Sequence, residues 1–87
     1  MKTGDVVVSK KGKYDGQYFF VIGVEDGFAL LADGKTRKAD HPKRKNISHL
    51  GVTGFSSESV AERLLNGRNA IDALMRAELK RLKLMLQ

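Results

Sequence analysis

Residues 18 to 34 read YFFVIGVEDGFALLADG. Successive side chains of a strand point to opposite faces, so Tyr18, Phe20, Ile22 and Val24 would face one way and Phe19 and Val21 the other. Both faces are therefore apolar, whereas a solvent-facing antiparallel strand alternates with polar residues. A strand of this kind has to be covered on its two sides. Asp26-Gly27 and Asp33-Gly34 each lie between β-prone segments, and Asp-Gly suits the positive φ angles of a two-residue hairpin turn. Working outward, the expectation is a meander with strands over Asp5 to Ser9, Tyr18 to Glu25, Phe28 to Ala32 and Thr36 to Ala39, and a short last piece over Ile47 to Leu50. Short strands joined by tight turns predict a small, mainly β barrel.

The periodicity changes near GVTGFSS, residues 51 to 57, where two glycines and a Ser-Ser pair interrupt it. This places a boundary between residues 1–55, the barrel, and residues 56–87, a helical extension. Ser56 or Ser57 can cap a first helix carrying Val60, Leu64 and Leu65, and Asn66-Gly67 can end it in a left-handed residue. Asn69, followed three residues later by Asp72, is the expected amino cap of a second helix. Ile71, Leu74, Met75, Leu79, Leu82 and Leu86 recur in that helix at spacings of three and four, forming one stripe. The stripe can fold back over the barrel and supply the missing cover. Leu84 and Met85 lie off it, so the final turn is apolar on several sides and can also meet a second copy or another protein.

The chain has 87 residues, no cysteine and two histidines. Disulfides and thiolate metal sites are thereby excluded, and no carboxylate arrangement advertises a metal centre or a cofactor. The amino end, MKTGDVVVSKKGK, carries lysine and glycine within its first four residues and lacks the apolar core of a signal peptide or a membrane span. A cytoplasmic location is the expectation, in which case the NIS triplet at Asn46 to Ser48 never meets the glycosylation machinery. Sixteen basic against ten acidic residues leave a net charge of +6. Six cations (Lys35, Arg37, Lys38, Lys43, Arg44, Lys45) against the single acid Asp40 put +5 of that charge between residues 35 and 45. Such a cluster is the footprint of a polyanion-binding face. Pro42, within it, biases His41 toward an extended conformation and keeps the segment from becoming helix.

DGKT at Asp33 to Thr36 contains the end of a phosphate-loop signature, but Ala29 stands where the first glycine is needed and no helix follows the turn. His41 and His49 lie among cations, with no orienting carboxylate beside a hydroxyl. No catalytic residue is assigned, and the chain reads as a non-enzyme. KKGKYDGQYFF, residues 10 to 20, is more informative. Gly12 and Gly16 allow a tight turn that presents backbone amides together with Lys10, Lys11 and Lys13 to a phosphate chain, with Tyr14 beside them to stack on a base. The same residues also make an ordinary soluble loop in which Tyr14 packs at the barrel rim. The second basic segment, KTRKADHPKRKN at residues 35 to 46, favours the first reading, because a short meander can fold the two segments together.

Gly12 to Leu50 also resembles a known family. A glycine after a basic turn (Gly16), alternating apolar residues through Val24, an Asp-Gly hairpin, a second Asp-Gly before basic residues, and PKRKN at Pro42 to Asn46 followed by His49-Leu50 look like the KOW-motif RNA-binding proteins. The similarity is to the bacterial relatives of the fourteen-e, six-e and twenty-seven-e group of large-subunit ribosomal proteins. That resemblance implies an SH3-like barrel and RNA as ligand. It also implies contact regions from Lys10 to Gly16 and from Arg37 to Lys45. It covers over half of the chain and says nothing of the helices after Ser56.

The reading is thus an SH3-like barrel of about five strands followed by a helical pair, binding structured RNA, with rRNA the leading candidate. Lys10, Lys11, Lys13, Arg37, Lys38, Lys43, Arg44 and Lys45 would supply phosphate contacts, Gly16 would shape the turn, and Tyr14 and His49 are the candidate base contacts. Two alternatives stay open: a protein-interaction adaptor of the transcription or translation machinery, and a binder of duplex DNA.

Overall fold

A computed structural model describes residues 1–86 of the chain. Strands β1 (Asp5–Ser9), β2 (Tyr18–Glu25), β3 (Phe28–Ala32), β4 (Lys43–Asn46) and β5 (Leu50–Ser56) precede helices α1 (Glu58–Leu65) and α2 (Ile71–Met85). All neighbouring strands pair antiparallel in the order β4-β3-β2-β1-β5, with the doubly apolar β2 at the centre. β4 and β5 are the two edges and do not pair with each other, so the sheet is open. No helix among the described residues is long and apolar enough to cross a membrane.

The first three strands lie where the alternation of the sequence puts them, and Glu25↔Phe28 pairing closes the two-residue turn at Asp26-Gly27, both with φ positive. The expected fourth strand over Thr36 to Ala39 does not form. The buried Asp33 carboxylate accepts N–H bonds from Lys35 (2.9 Å) and Arg37 (2.8 Å) through Oδ1, which winds the segment into a loop instead of a two-residue hairpin. Strand structure resumes at Lys43, just past Pro42. The expected strand over Ile47 to Leu50 is likewise replaced. Asn46 Oδ1 takes hydrogen bonds from the Ser48 amide and hydroxyl, giving a short 3-10 turn over Ile47–His49 before β5 begins.

Residues 51–56 of GVTGFSS are therefore strand rather than a break. The Thr53 hydroxyl bonds the Val6 carbonyl at 2.7 Å and receives the Phe55 amide, holding a bulge in which Gly54 has φ +83°. A second bulge lies between Val21 and Gly23 of β2. Bulges of this kind strengthen the local twist and coil a sheet upon itself.

Two apolar clusters occupy the two faces. On one, Val6, Phe20, Ile22 and Ala32 pack beneath Val60 of α1 and Ile71, Met75, Leu79 and Leu82 of α2. The stripe of α2 is the cover that β2 required. Leu65 was expected in the first helix's stripe but is 84 % exposed, because five residues after the buried Val60 the helix has turned to another side. Val24 is exposed where β2 runs out into the hairpin tip, and Leu86 lies beyond the end of α2. On the opposite face, Val7, Phe19, Val21, Ala29 and Leu31 are buried, with Tyr14, Ile47 and Leu50 packed against them.

The helical caps follow the sequence in one case and depart from it in the other. Ser57 caps α1, accepting the Val60 amide at 3.2 Å while its hydroxyl donates to Glu78 of α2 at 2.7 Å. Gly67 is left-handed after α1. The expected Asn69 cap of α2 is absent: left-handed Ala70 occupies the cap position without a side-chain bond. Asp72 instead receives the Ala39 amide at 2.8 Å and pins the loop after β3 onto the helix.

Candidate nucleic-acid interface

The loop from Lys10 to Gln17 is closed by its own backbone. Ser9 N–H bonds Gln17 O, Gly16 N–H bonds Ser9 O at 2.7 Å, and Gln17 N–H bonds Tyr14 O. Gly16 has φ +86°, the left-handed region that a glycine enters without steric cost. Lys10, Lys11 and Lys13 project from this loop, all exposed. The Tyr14 ring turns inward and meets Phe19 edge-on, with centroids 5.8 Å apart and planes at 76°. Tyr14 is thus the rim residue of the ordinary loop reading, although it is only partly buried.

Three cations surround the same ring. Lys13 Nζ lies 5.7 Å from the Tyr14 centroid, Arg37 Cζ 5.9 Å and Lys43 Nζ 5.5 Å. Lys13 belongs to the first basic segment, whereas Arg37 comes from the Asp33-anchored loop and Lys43 from the start of β4. Two further contacts join the segments. Lys45 Nζ donates to the Lys11 carbonyl and packs over Gly12, and the Lys10 amide donates to the His49 carbonyl at 2.9 Å.

Strand alternation explains which cations of β4 reach this side. Lys43 and Lys45 pair with Leu31 and Ala29, both buried in the Phe19 cluster, whereas Arg44 pairs with Leu30 on the helical side. Arg44 stacks on Phe28 at 3.7 Å and lies 3.6 Å from Glu25. Both partners of that ion pair are about half-exposed, so it contributes little stability. Lys38 sits in the turn pinned to α2 through Ala39, outside the Tyr14 group. Of the residues the sequence singled out, Lys10, Lys11, Lys13, Tyr14, Gly16, Arg37, Lys43, Lys45 and the backbone of His49 come together. Arg44 and Lys38 stand apart.

Among the described residues, no ion pair neutralises the cations of this surface. The ion pairs among the described residues are Arg44–Glu25 and Arg81–Glu78, and neither includes a cation of the Tyr14 group. Cation–π attraction at an exposed ring contributes about 0.5–1 kcal/mol, and like charges gathered around one ring repel each other. Gln17 was missed by sequence reasoning. Its amide bonds Thr36 Oγ1 at 3.1 Å and Asp33 Oδ2 at 3.4 Å, lashing the first loop to the second. No local signal marks it, since its role arises from a contact nineteen residues along the chain. Compared with known proteins, the chain matches no family model and no curated protein.

Proposed function

We propose that this protein binds structured RNA through the Tyr14-centred surface, as a ribosome-associated component contacting rRNA and performing no catalysis of its own. The observation that carries the reading is the gathering of Lys13, Arg37 and Lys43, from three separate segments, within 6 Å of one partly buried tyrosine, with no ion pair to any of the three among the described residues. Lysine and arginine neutralise phosphates, while the exposed part of the ring and His49 offer stacking or hydrogen bonds to unpaired bases. A cytoplasmic site of action accords with this role.

The fold belongs to the same proposal. The strand order β4-β3-β2-β1-β5, the two bulges and the 3-10 turn before β5 support reading the open sheet as an SH3-like barrel of the KOW kind. The β1–β2 and β3–β4 connections lie at the same end of the sheet, opposite the Asp26-Gly27 turn, and carry Lys13 and Arg37.

Neutralising four to six phosphates gives a slope of about −3 to −5 for log affinity against log salt, at roughly 0.7–0.9 per contact. Fluorescence anisotropy with labelled rRNA hairpins, repeated across salt concentrations, measures it; a slope near zero overturns the proposal. Joint Lys13→Glu, Arg37→Glu and Lys43→Glu substitution abolishes binding with the fold retained, whereas Arg44→Glu weakens it far less. Competition by duplex DNA of equal length distinguishes the two nucleic acids. A second reading, an adaptor that pairs through the helical tail, is favoured by Leu84 and Met85, which are 65 % and 61 % exposed on the last turn of α2. Under that reading the triple charge reversal leaves protein pairing intact.

A further inference from the structure

Between α2 and the loop after β3 lies a cleft of about 360 Å³, within the size range of small-ligand sites. Arg76, Lys80 and Lys83 recur along one side of α2, and Lys35 faces them from the loop. Asp33 is the carboxylate in the lining. Both of its oxygens already accept hydrogen bonds, Oδ1 from two backbone amides and Oδ2 from Gln17. Four cations therefore oppose one occupied carboxylate. Arg76 is held in place, donating through Nη1 to the Gly34 carbonyl at 2.6 Å, which leaves its remaining N–H groups for an anion. Tyr18, Leu79 and Leu84 contribute an apolar wall beside these charges.

We propose that this cleft is a nucleotide subsite, taking a phosphate on Lys35, Lys80 and Lys83 and a base against Tyr18 and Leu79. The subsite rests on the RNA reading for its strand source, because one loop serves both surfaces. Arg37 reaches the Tyr14 ring while Lys35, two residues earlier, lines the cleft, and Gln17 bridges the space beside them through Thr36. Lys35 and Arg37 thus tie the cleft to the Tyr14 surface through a single loop. A single stranded residue and a free nucleotide offer the cleft the same chemistry.

Amide NMR of the full chain separates the outcomes, with three probes: adenosine monophosphate, an adenine hexaribonucleotide and inorganic phosphate. The hexaribonucleotide shifts the amides of Arg76 to Leu84 together with those of Lys10 to Gly16. Lys80→Glu with Lys83→Glu removes the first set, keeps the second, weakens binding roughly tenfold and lowers the salt slope by about 2. Both side chains are exposed, and a glutamine pair replaces the glutamates if the spectrum shows misfolding. Shifts confined to Lys10 to Gly16, with the double variant binding like the unaltered chain, overturn the cleft and spare the Tyr14 reading. Adenosine monophosphate filling the cleft while the hexaribonucleotide binds nowhere upholds the subsite for free nucleotides and sinks the strand reading. If inorganic phosphate reproduces every shift, no base is recognised and the nucleotide proposal fails. Silence from all three probes overturns both.

Discussion

The two faces of β2 are both apolar in sequence and are closed in opposite ways. Phe20 and Ile22 meet side chains of α1 and α2 that bring no charge to the contact: Val60, Ile71, Met75, Leu79 and Leu82. Phe19 and Val21 are closed by Tyr14, Ile47 and Leu50, with Lys43, Lys45 and the Lys10–Gln17 loop around them. The helical face is finished by apolar side chains that bury against the sheet. On the loop face the finishing residues also present charge: an aromatic ring, and lysines with apolar stems below ionised heads. The comparison teaches where a small chain can place function without a separate domain. The rim of the core is at once a lid on Phe19 and Val21 and the surface for which RNA binding is proposed, while the opposite face buries the larger apolar cluster.

That division predicts unequal consequences for damage. The largest is expected from Met75→Ala, which empties a fully buried position between α2 and the sheet and costs about 3 kcal/mol. Urea unfolding measures it, and a loss below about 1 kcal/mol would show that the helical face is no true core. Gly34→Ala comes next. Gly34 has φ +80°, and a Cβ there would collide with the Asp72 carbonyl of α2, so both conformation and space resist the change. A cost of about 2 kcal/mol is expected, against about 1 kcal/mol for Gly27→Ala, whose φ is also positive but whose surroundings are empty. Thermal melts of the two variants compare them, and equal losses would mean that the loop does not press on the helix.

The smallest effect concerns pH. The Ser57 hydroxyl, and after it the Arg81 guanidinium, hold the Glu78 carboxyl below its usual value. A carboxyl depressed by folding stabilises the fold above its unfolded pKa and loses that contribution as pH falls through the folded one. Glu78→Gln should therefore lower stability at neutral pH and flatten its decline in acid, read from unfolding curves across the acid range. Parallel pH curves for the two proteins would remove the α1–α2 bond from the account of the helical face.

Much of the fold was legible where its cause is local. β1, β2 and β3 begin and end where alternation and Asp-Gly turns put them, and the α2 stripe declares its buried face through Met75, Leu79 and Leu82. Thr36 to Ala39 was misread because the Asp33 carboxylate, an Asx device with no periodic signature, bends the chain before a strand can form. Gly51 and Gly54 read as an interruption of periodicity, yet pairing with β1 makes strand of them, with Gly54 at a bulge and Gly51 making room for Lys10. The basic segments were visible as charge. The departure of Arg44 follows from the phase of β4, unknown until that strand was placed.

The sequence by itself determined the doubly apolar central strand, the helices and the amount and clustering of positive charge, since composition and periodicity are properties of neighbouring residues. Tertiary structure alone decided that Lys13, Arg37 and Lys43 share one ring, that Arg44 turns away, and that Arg76, Lys80 and Lys83 face Lys35. Those meetings depend on loop closure and strand register, which bring together groups that no local pattern relates.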